Sequence, residues 1–415
     1  MSKIAVMGFG VVGSGTVELF YKNKKHIEEK SGTDMDIKYI LDIRDFPNSP
    51  YAGKFVKDVN IILQDPEVDV VVEVMGGLKP AFDFVRSCLA AGKSVVTSNK
   101  ELVAAKGYEL LALAKENNCN FFFEASVGGG IPIIRPLHHC LAANEITGIA
   151  GILNGTTNFI LTKMIDEQMS FYDALAMAQS LGYAEKDPTA DVEGHDACRK
   201  ICILSSLAFG RHVYPDKVHT EGISSVTLED VEYAENWGGV IKLIGSVSKL
   251  DDDKILPLVR PAFVLKNSPL APVDDVFNGI MVMGDAIDKV MFYGRGAGKM
   301  PTASAVVADV IVAAKSNGTS HSLTWEEGRN VDFIEDYLQA ETSMYVRVQG
   351  NDRDEALKAI EAAFGEVQHL SRKGREKTEL AFITPVLKEQ AIVDQLAGLE
   401  KAGVKILGKI RLLDK

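Results

Sequence analysis

The sequence predicts an α/β protein. A doubly wound parallel sheet comes first, an α+β domain second and a small ferredoxin-like module last. Three observations predict this. Strand-like and helix-like stretches alternate from residue 3 to about residue 130. A G-x-G-x-x-G turn sits at the first strand–helix junction. From about residue 340 a shorter β-α-β-type pattern begins.

The first strand, Ile4 to Met7, runs into Gly8-Phe9-Gly10-Val11-Val12-Gly13, and a helix-compatible stretch, Ser14 to Tyr21, follows. Gly8 permits a tight turn, Gly10 lets backbone approach a pyrophosphate, and Gly13 lets the helix pack closely on the strand. This context makes the sheet Rossmann-type and predicts a bound dinucleotide. Asp36 to Leu41 reads as the second strand. Asp69 to Val74, a continuous apolar run before Met75-Gly76-Gly77, reads as a strand buried on both faces. Pro80 to Ala91 reads as a helix closed by Gly92. Ser94–Thr97, Leu102–Asn117 and Phe121–Ala125 continue as strand, helix and strand. Ligands bind such sheets at the carboxyl ends of the strands. That brings Gly8–Gly13, Met75–Gly77, Ser98–Lys100 and Glu124–Gly130 to one rim.

From Ile146 the pattern changes. Phe159–Gln168, Phe171–Leu181 and Asp196–Phe209 read as helices, and Val259–Leu265 and Lys289–Phe292 as antiparallel strands. Ala303 to Ala314 is apolar and helical and is expected to pack back on the first domain. A polar linker, Lys315 to Leu323, follows. In the tail, Ser343–Gln349, Glu379–Ile383 and Val404–Leu412 read as strands, and Asp354–Phe364 and Gln390–Ala402 as helices. The expected domains are residues 1–130, 131–325 and 340–415, the tail forming a separate unit.

A chain of 415 residues has room for two or three domains with sizeable cores. Its net charge of −12 disfavours nucleic acid or an anionic membrane as the main partner. No apolar run reaches the length of a membrane span. The five cysteines are scattered and odd in number, which fits a reducing cytoplasm. His195, Cys198 and Cys202 lack the paired spacing of a zinc site, and the two cysteines read as core residues.

Several segments together resemble homoserine dehydrogenase. They are the glycine turn, Thr97-Ser98-Asn99-Lys100, Glu124 to Pro132, Leu153 to Asn158, Gly182-Tyr183-Ala184-Glu185, Asp187 to Lys200, and Gly294 to Thr302. The resemblance runs in order from residue 3 to about 325, and Asp187–Lys200 is its most specific stretch. It implies NAD(P)H-dependent interconversion of L-aspartate 4-semialdehyde and L-homoserine, feeding threonine, methionine and isoleucine synthesis. It also implies a cytoplasmic homodimer, with a tetramer through the tail as an alternative. The tail is similar to ACT regulatory domains, although Gly350-Asn351-Asp352-Arg353-Asp354 lacks their usual Pro-Gly turn.

Reducing an aldehyde leaves an alkoxide, which a nearby ammonium can protonate. Lys200 is the candidate donor, and Asp196, four residues earlier on one helix, shares its face. Spacing alone would make this an ordinary surface pair; the resemblance makes Lys200 the proton donor or acceptor. It also brings Lys100 to the cofactor–substrate junction as a second functional lysine. Glu185, Asp191 and Tyr183 are implied to bind substrate, whose ammonium suits clustered carboxylates. Asn154-Gly155-Thr156 is implied to add backbone and hydroxyl groups to the same pocket.

The end of the second strand carries both Asp42, suited to a ribose 2′-hydroxyl, and Arg44, suited to a 2′-phosphate. By resemblance Arg44 favours NADP(H), and Asp42 leaves NAD(H) open. The cofactor residues are then Gly8, Phe9, Gly10, Val11, Val12, Gly13, Arg44 and Lys100, with Gly298 approaching from the far side. Glu124, Val127, Gly129 and Ile131 are implied to hold a sodium or similar monovalent ion through backbone oxygens; chemistry alone would make this a plain turn. Two alternatives remain: a non-catalytic nucleotide and amino-acid sensor on this scaffold, and a dehydrogenase of a related small amino acid. The presence of Lys100, Glu185, Asp196 and Lys200 argues against the sensor.

Overall fold

A computed structural model describes residues 2–316 and 323–413. The first unit is a six-stranded parallel sheet, β1 (Ser2–Met7), β2 (Met35–Leu41), β3 (Phe55–Val56), β4 (Val68–Glu73), β5 (Ser94–Thr97) and β6 (Phe121–Phe122). Its order is β3-β2-β1-β4-β5-β6, so the chain reverses direction across the sheet between β1 and β4. The strands are Val- and Ile-rich because both faces are covered. The helices are α1 (Val11–Lys22), α2 (Lys24–Ser31), α3 (Val59–Gln64), α4 (Ala81–Ala90) and α5 (Lys100–Glu116). The expected strand Phe121–Ala125 ends early. At Ala125 the chain turns into a one-turn helix, α6 (Ala125–Gly128), while the Glu124 side chain folds inward and accepts the backbone N–H groups of Ile133, Ile134 and Arg135 beyond it.

The second unit begins with β7 (Ile146–Ile152) and the helices α7 (Gly155–Asp166), α8 (Phe171–Ser180), α9 (Thr189–Val192) and α10 (His195–Phe209). The first of these starts four residues before the expected helix, because Asn154 caps it by accepting Thr157 N–H at 2.8 Å. After β8 (His219–Thr220) and α11 (Leu228–Trp237) come β9 (Gly239–Lys249), β10 (Ile255–Leu265), β11 (Phe277–Gly284) and β12 (Asp288–Arg295), paired antiparallel. Helix α12 (Lys299–Lys315) packs on α1, β4 and β5, so it does return to the first unit. The expected linker Lys315–Leu323 falls largely outside the described residues.

The tail contains β13 (Glu341–Thr342), β14 (Met344–Gln349), α13 (Arg353–Phe364), β15 (Gln368–Leu370), β16 (Glu379–Ile383), β17 (Leu387–Lys388), α14 (Glu389–Lys401) and β18 (Lys405–Leu412). Its main strands run antiparallel in the order β18-β14-β16-β15, the ferredoxin-like arrangement. The module is not free-standing. Its last strand pairs with β10 through Ala262–Arg411 and Phe263–Leu412, which joins the two sheets into one of ten strands. Ion pairs reinforce that seam: Arg347 with the buried Asp230 at 3.0 Å, and Arg411, itself held by Glu389 within the tail, with the half-buried Glu221 at 2.7 Å.

Candidate active site

The rim above the parallel sheet faces the start of α7 and helix α10 across a cavity of about 450 Å³. Five predicted residues converge here. Asp196 and Lys200 lie one turn apart on α10 and pair at 2.7 Å, with both side chains buried. Lys100, the first residue of α5, reaches the other oxygen of Asp196 at 2.8 Å. Asn154 Nδ2 donates to Asp196 Oδ2 at 2.9 Å and to Asp191 Oδ1 at 2.7 Å. The Lys200 ammonium also donates to the Leu153 carbonyl at 2.7 Å.

The two lysines share one carboxylate yet differ electrostatically. Burial lowers the pKa of Lys200 from its ordinary value, against the pull of Asp196. The charge of Asp196 raises that of Lys100, which still opens on the cavity. Burial alone would raise Asp196, but the two ammonium groups hold it well below the usual carboxylate range. Asp191 is raised by burial and then by the charge of Asp196. The site thus pairs a fixed anion with a buried amine whose proton is made easier to give up, the arrangement a general acid needs.

The glycine turn forms the cofactor wall. Gly8 has φ +101°, and a Cβ on Gly13 would lie 2.0 Å from the Gly8 carbonyl oxygen. Gly10 precedes α1, and Val11, Val12 and Gly298 line the cavity. Phe9 N–H donates to Asp42 Oδ2 at 2.8 Å. Arg44 closes on the same carboxylate, Nε to Oδ1 at 3.0 Å and NH2 to Oδ2 at 2.9 Å. These bonds hold the Asp42 carboxyl down at about 2. The two residues read from sequence as rival ribose ligands are partners: Asp42 anchors the turn and orients Arg44.

Two family models match the chain. One, described as the NAD binding domain of homoserine dehydrogenase, covers residues 8–124; the other, described as homoserine dehydrogenase, covers residues 132–311. The homoserine dehydrogenase of Pseudomonas aeruginosa is 37% identical over 413 residues, spanning 96% of this chain and 95% of the relative. That of Bacillus subtilis is 42% identical over 318 residues, spanning 76% and 73%. The chain belongs to the homoserine dehydrogenase family. A crystal structure of a homoserine dehydrogenase from Thiobacillus denitrificans matches with a TM-score of 0.89 at 35% identity, over 100% of this chain and 98% of that one. A hyperthermophilic archaeal homoserine dehydrogenase in complex with NADPH matches with a TM-score of 0.64 at 31% identity, over 75% and 97%. These matches make the protein an oxidoreductase that binds NAD(P), and favour the enzyme over a sensor.

The remaining expected residues of this homoserine dehydrogenase site divide. Gly155, Thr156 and Tyr183 line the cavity, and Thr156 Oγ1 donates to the Tyr183 carbonyl at 2.7 Å. The Tyr183 ring packs on Phe159 with centroids 5.1 Å apart. Glu185 is exposed and stands apart from the Asp196 cluster, on the wall of an adjoining hollow of about 620 Å³ that shares Lys100, Asp191 and Asp196 with it. Glu124 Oε1 accepts from Ile133 and Ile134 N–H at 2.6 and 2.7 Å, and Oε2 from Arg135 N–H at 2.9 Å. Oε2 also pairs with Arg135 Nε at 3.3 Å, so the carboxylate is committed to these groups and is no free ion ligand. Among the described residues no group of three or more His, Cys, Asp or Glu could hold a metal. No helix there is long and apolar enough to cross a membrane.

Sequence reasoning missed two things here. The Asn154 side chain, not only its backbone, joins the two aspartates. Ser126, Arg295 and Thr302 also line the cavity. The hydroxyl and guanidinium lie inside quoted motifs, but nothing in their spacing marks them as cavity-facing.

Proposed function

We propose that this protein catalyses NADPH-dependent reduction of L-aspartate 4-semialdehyde to L-homoserine, with Lys200 as the proton donor. The observation that carries the reading is the Asp196 carboxylate, held at 2.7 Å by Lys200 and at 2.8 Å by Lys100. The nicotinamide, when bound, supplies hydride to the aldehyde carbon. The alkoxide so formed takes a proton from the Lys200 ammonium, which solvent replenishes; oxidation runs the same transfer in reverse. Asp196 orients Lys200, and Lys100 stabilises the developing oxyanion. Asp191, Asn154, Gly155, Thr156 and Tyr183 hold the substrate, and Glu185 meets its ammonium group from the exposed side. Arg44, oriented by Asp42, takes the 2′-phosphate of NADP(H), with Gly8 to Gly13 and Gly298 around the dinucleotide.

The wider reading includes three domains (1–130, 131–325 and 340–415), an ACT-like role for the tail and a cytoplasmic homodimer serving threonine, methionine and isoleucine synthesis. A sodium-like ion fits only through the carbonyl oxygens of Glu124, Val127, Gly129 and Ile131, since the Glu124 carboxylate is already bonded. The test is NADPH oxidation on addition of L-aspartate 4-semialdehyde. Saturable turnover supports the assignment, and a folded, NADPH-binding protein without turnover refutes it.

A further inference from the structure

Glu73 is the last residue of β4, at the carboxyl end of the parallel sheet, and is fully buried. The mechanism above does not use it. Among the described residues no Lys, Arg or His forms an ion pair with it, and burial raises its carboxyl pKa. A buried carboxylate without a counter-ion is costly unless hydrogen bonds satisfy it. Here they do, and they run straight to the site. Oε1 accepts from Met75 N–H at 2.8 Å and Gly76 N–H at 3.3 Å. Oε2 accepts from the Thr97 hydroxyl at 2.6 Å. The Thr97 oxygen in turn accepts from Asn99 N–H at 2.9 Å.

Asn99 closes the ring. Its Nδ2 donates to the Gly77 carbonyl at 2.7 Å, and its Oδ1 caps α5 by accepting Leu102 N–H at 3.1 Å. The next residue is Lys100. Two active-site turns, 75–77 and 97–100, are therefore tied through one carboxylate. Both Gly76 (φ +79°) and Gly77 (φ +68°) are left-handed, a conformation the Glu73 bonds help hold. Both turns line the same hollow beside Asp191 and Asp196.

We infer that Glu73 is a positioning residue: through Thr97 and Asn99 it fixes the start of α5, so that Lys100 meets Asp196. As a carboxylate, Glu73 accepts all three of these bonds. The Thr97 oxygen accepts a hydrogen bond from Asn99 N–H and donates its own hydroxyl hydrogen to Glu73 Oε2. A glutamine would turn an N–H₂ donor towards that hydroxyl or towards the two amides.

The catalytic part of this inference rests on the proposed reaction; the tie between the turns does not. Full-length Glu73→Gln, Thr97→Val and Thr97→Ser proteins would be compared with the wild type by amide hydrogen exchange and by NADPH- and NADPD-dependent aldehyde reduction. Glu73→Gln and Thr97→Val are expected to speed exchange in segments 74–78 and 98–102 and to leave the rest unchanged. They are also expected to lower kcat about tenfold to a hundredfold, as displaced catalytic groups do, and to raise the deuterium isotope effect. Thr97→Ser, which keeps the hydroxyl, should restore both properties to within about twofold of the wild type. Unchanged exchange in both segments would overturn the inference, and so would a Thr97→Ser protein as impaired as Thr97→Val. If Glu73→Gln does not fold, Thr97→Val and Thr97→Ser decide. A wild type without turnover would refute the reaction, while the exchange result still judges the tie.

Discussion

Replacing Asp196 by asparagine removes the one anion that Lys200 and Lys100 share, while keeping the size of the side chain. Losing one partner of a buried ion pair costs about 3–5 kcal/mol when the other stays charged. Lys100 is 41% exposed, so its pairing counts for little; Lys200 is buried and carries the effect. The Leu153 carbonyl remains as a partner at 2.7 Å and recovers part of the loss. At about 1.4 kcal/mol per pKa unit, a net effect near 3 kcal/mol lowers the Lys200 pKa by about two units. Aldehyde reduction needs the protonated amine, so the alkaline limb of kcat/KM should move about two units towards neutrality in Asp196→Asn. Stability should change with the opposite pH sense. Asp196 has a depressed folded-state pKa, so its contribution is present above its unfolded value and is lost as pH falls through the folded value. The variant should lack that acid-side loss. A variant with reduced activity but an unmoved alkaline limb would refute the coupling of Asp196 to Lys200.

Other predictions follow from single contacts. Gly13→Ala, whose Cβ would lie 2.0 Å from the Gly8 oxygen, should weaken NADPH binding at least about tenfold in a fluorescence titration; wild-type affinity would contradict the close approach. Asn154→Ala removes a helix cap and the bond to both aspartates. It should cost about 1 kcal/mol in denaturant unfolding and also lower kcat, whereas a stability loss alone would make the residue merely a cap. Arg411→Ala leaves the buried Glu389 without its partner and Glu221 with His219 alone, at the seam between the tail and β10. Unfolding should become easier by about 3–5 kcal/mol, and an unchanged transition would show that the seam does not need this arginine.

Much of this architecture is legible in the chain because its signals are local. The Gly8–Gly13 turn, the valine run of β4 and the i,i+4 spacing of Asp196 and Lys200 each depend on neighbours a few residues apart. What the sequence hides is long-range or set by side-chain satisfaction. Lys100 and Asp196 come from different units, and no periodicity links them. The pairing of β18 with β10 makes one sheet of two expected domains, since an edge strand carries no mark of its partner. Glu124 reads as part of a loop that holds an ion through backbone oxygens; nothing in the spacing shows that its side chain turns inward to bind the N–H groups of Ile133, Ile134 and Arg135. Asp42 and Arg44 read as alternatives because each suits a ribose substituent; only their 2.9 Å pairing shows that one orients the other.

In the proposed homoserine dehydrogenase reaction Lys200 moves the proton. The most direct measurement is NADPH oxidation with L-aspartate 4-semialdehyde by wild type and Lys200→Ala, with NADPH binding measured in both. Wild type should turn over robustly, and Lys200→Ala should lose about two to four orders of magnitude in rate while NADPH still binds. Turnover that survives in the variant would contradict this role of Lys200 and move the proton transfer to Lys100 or to water.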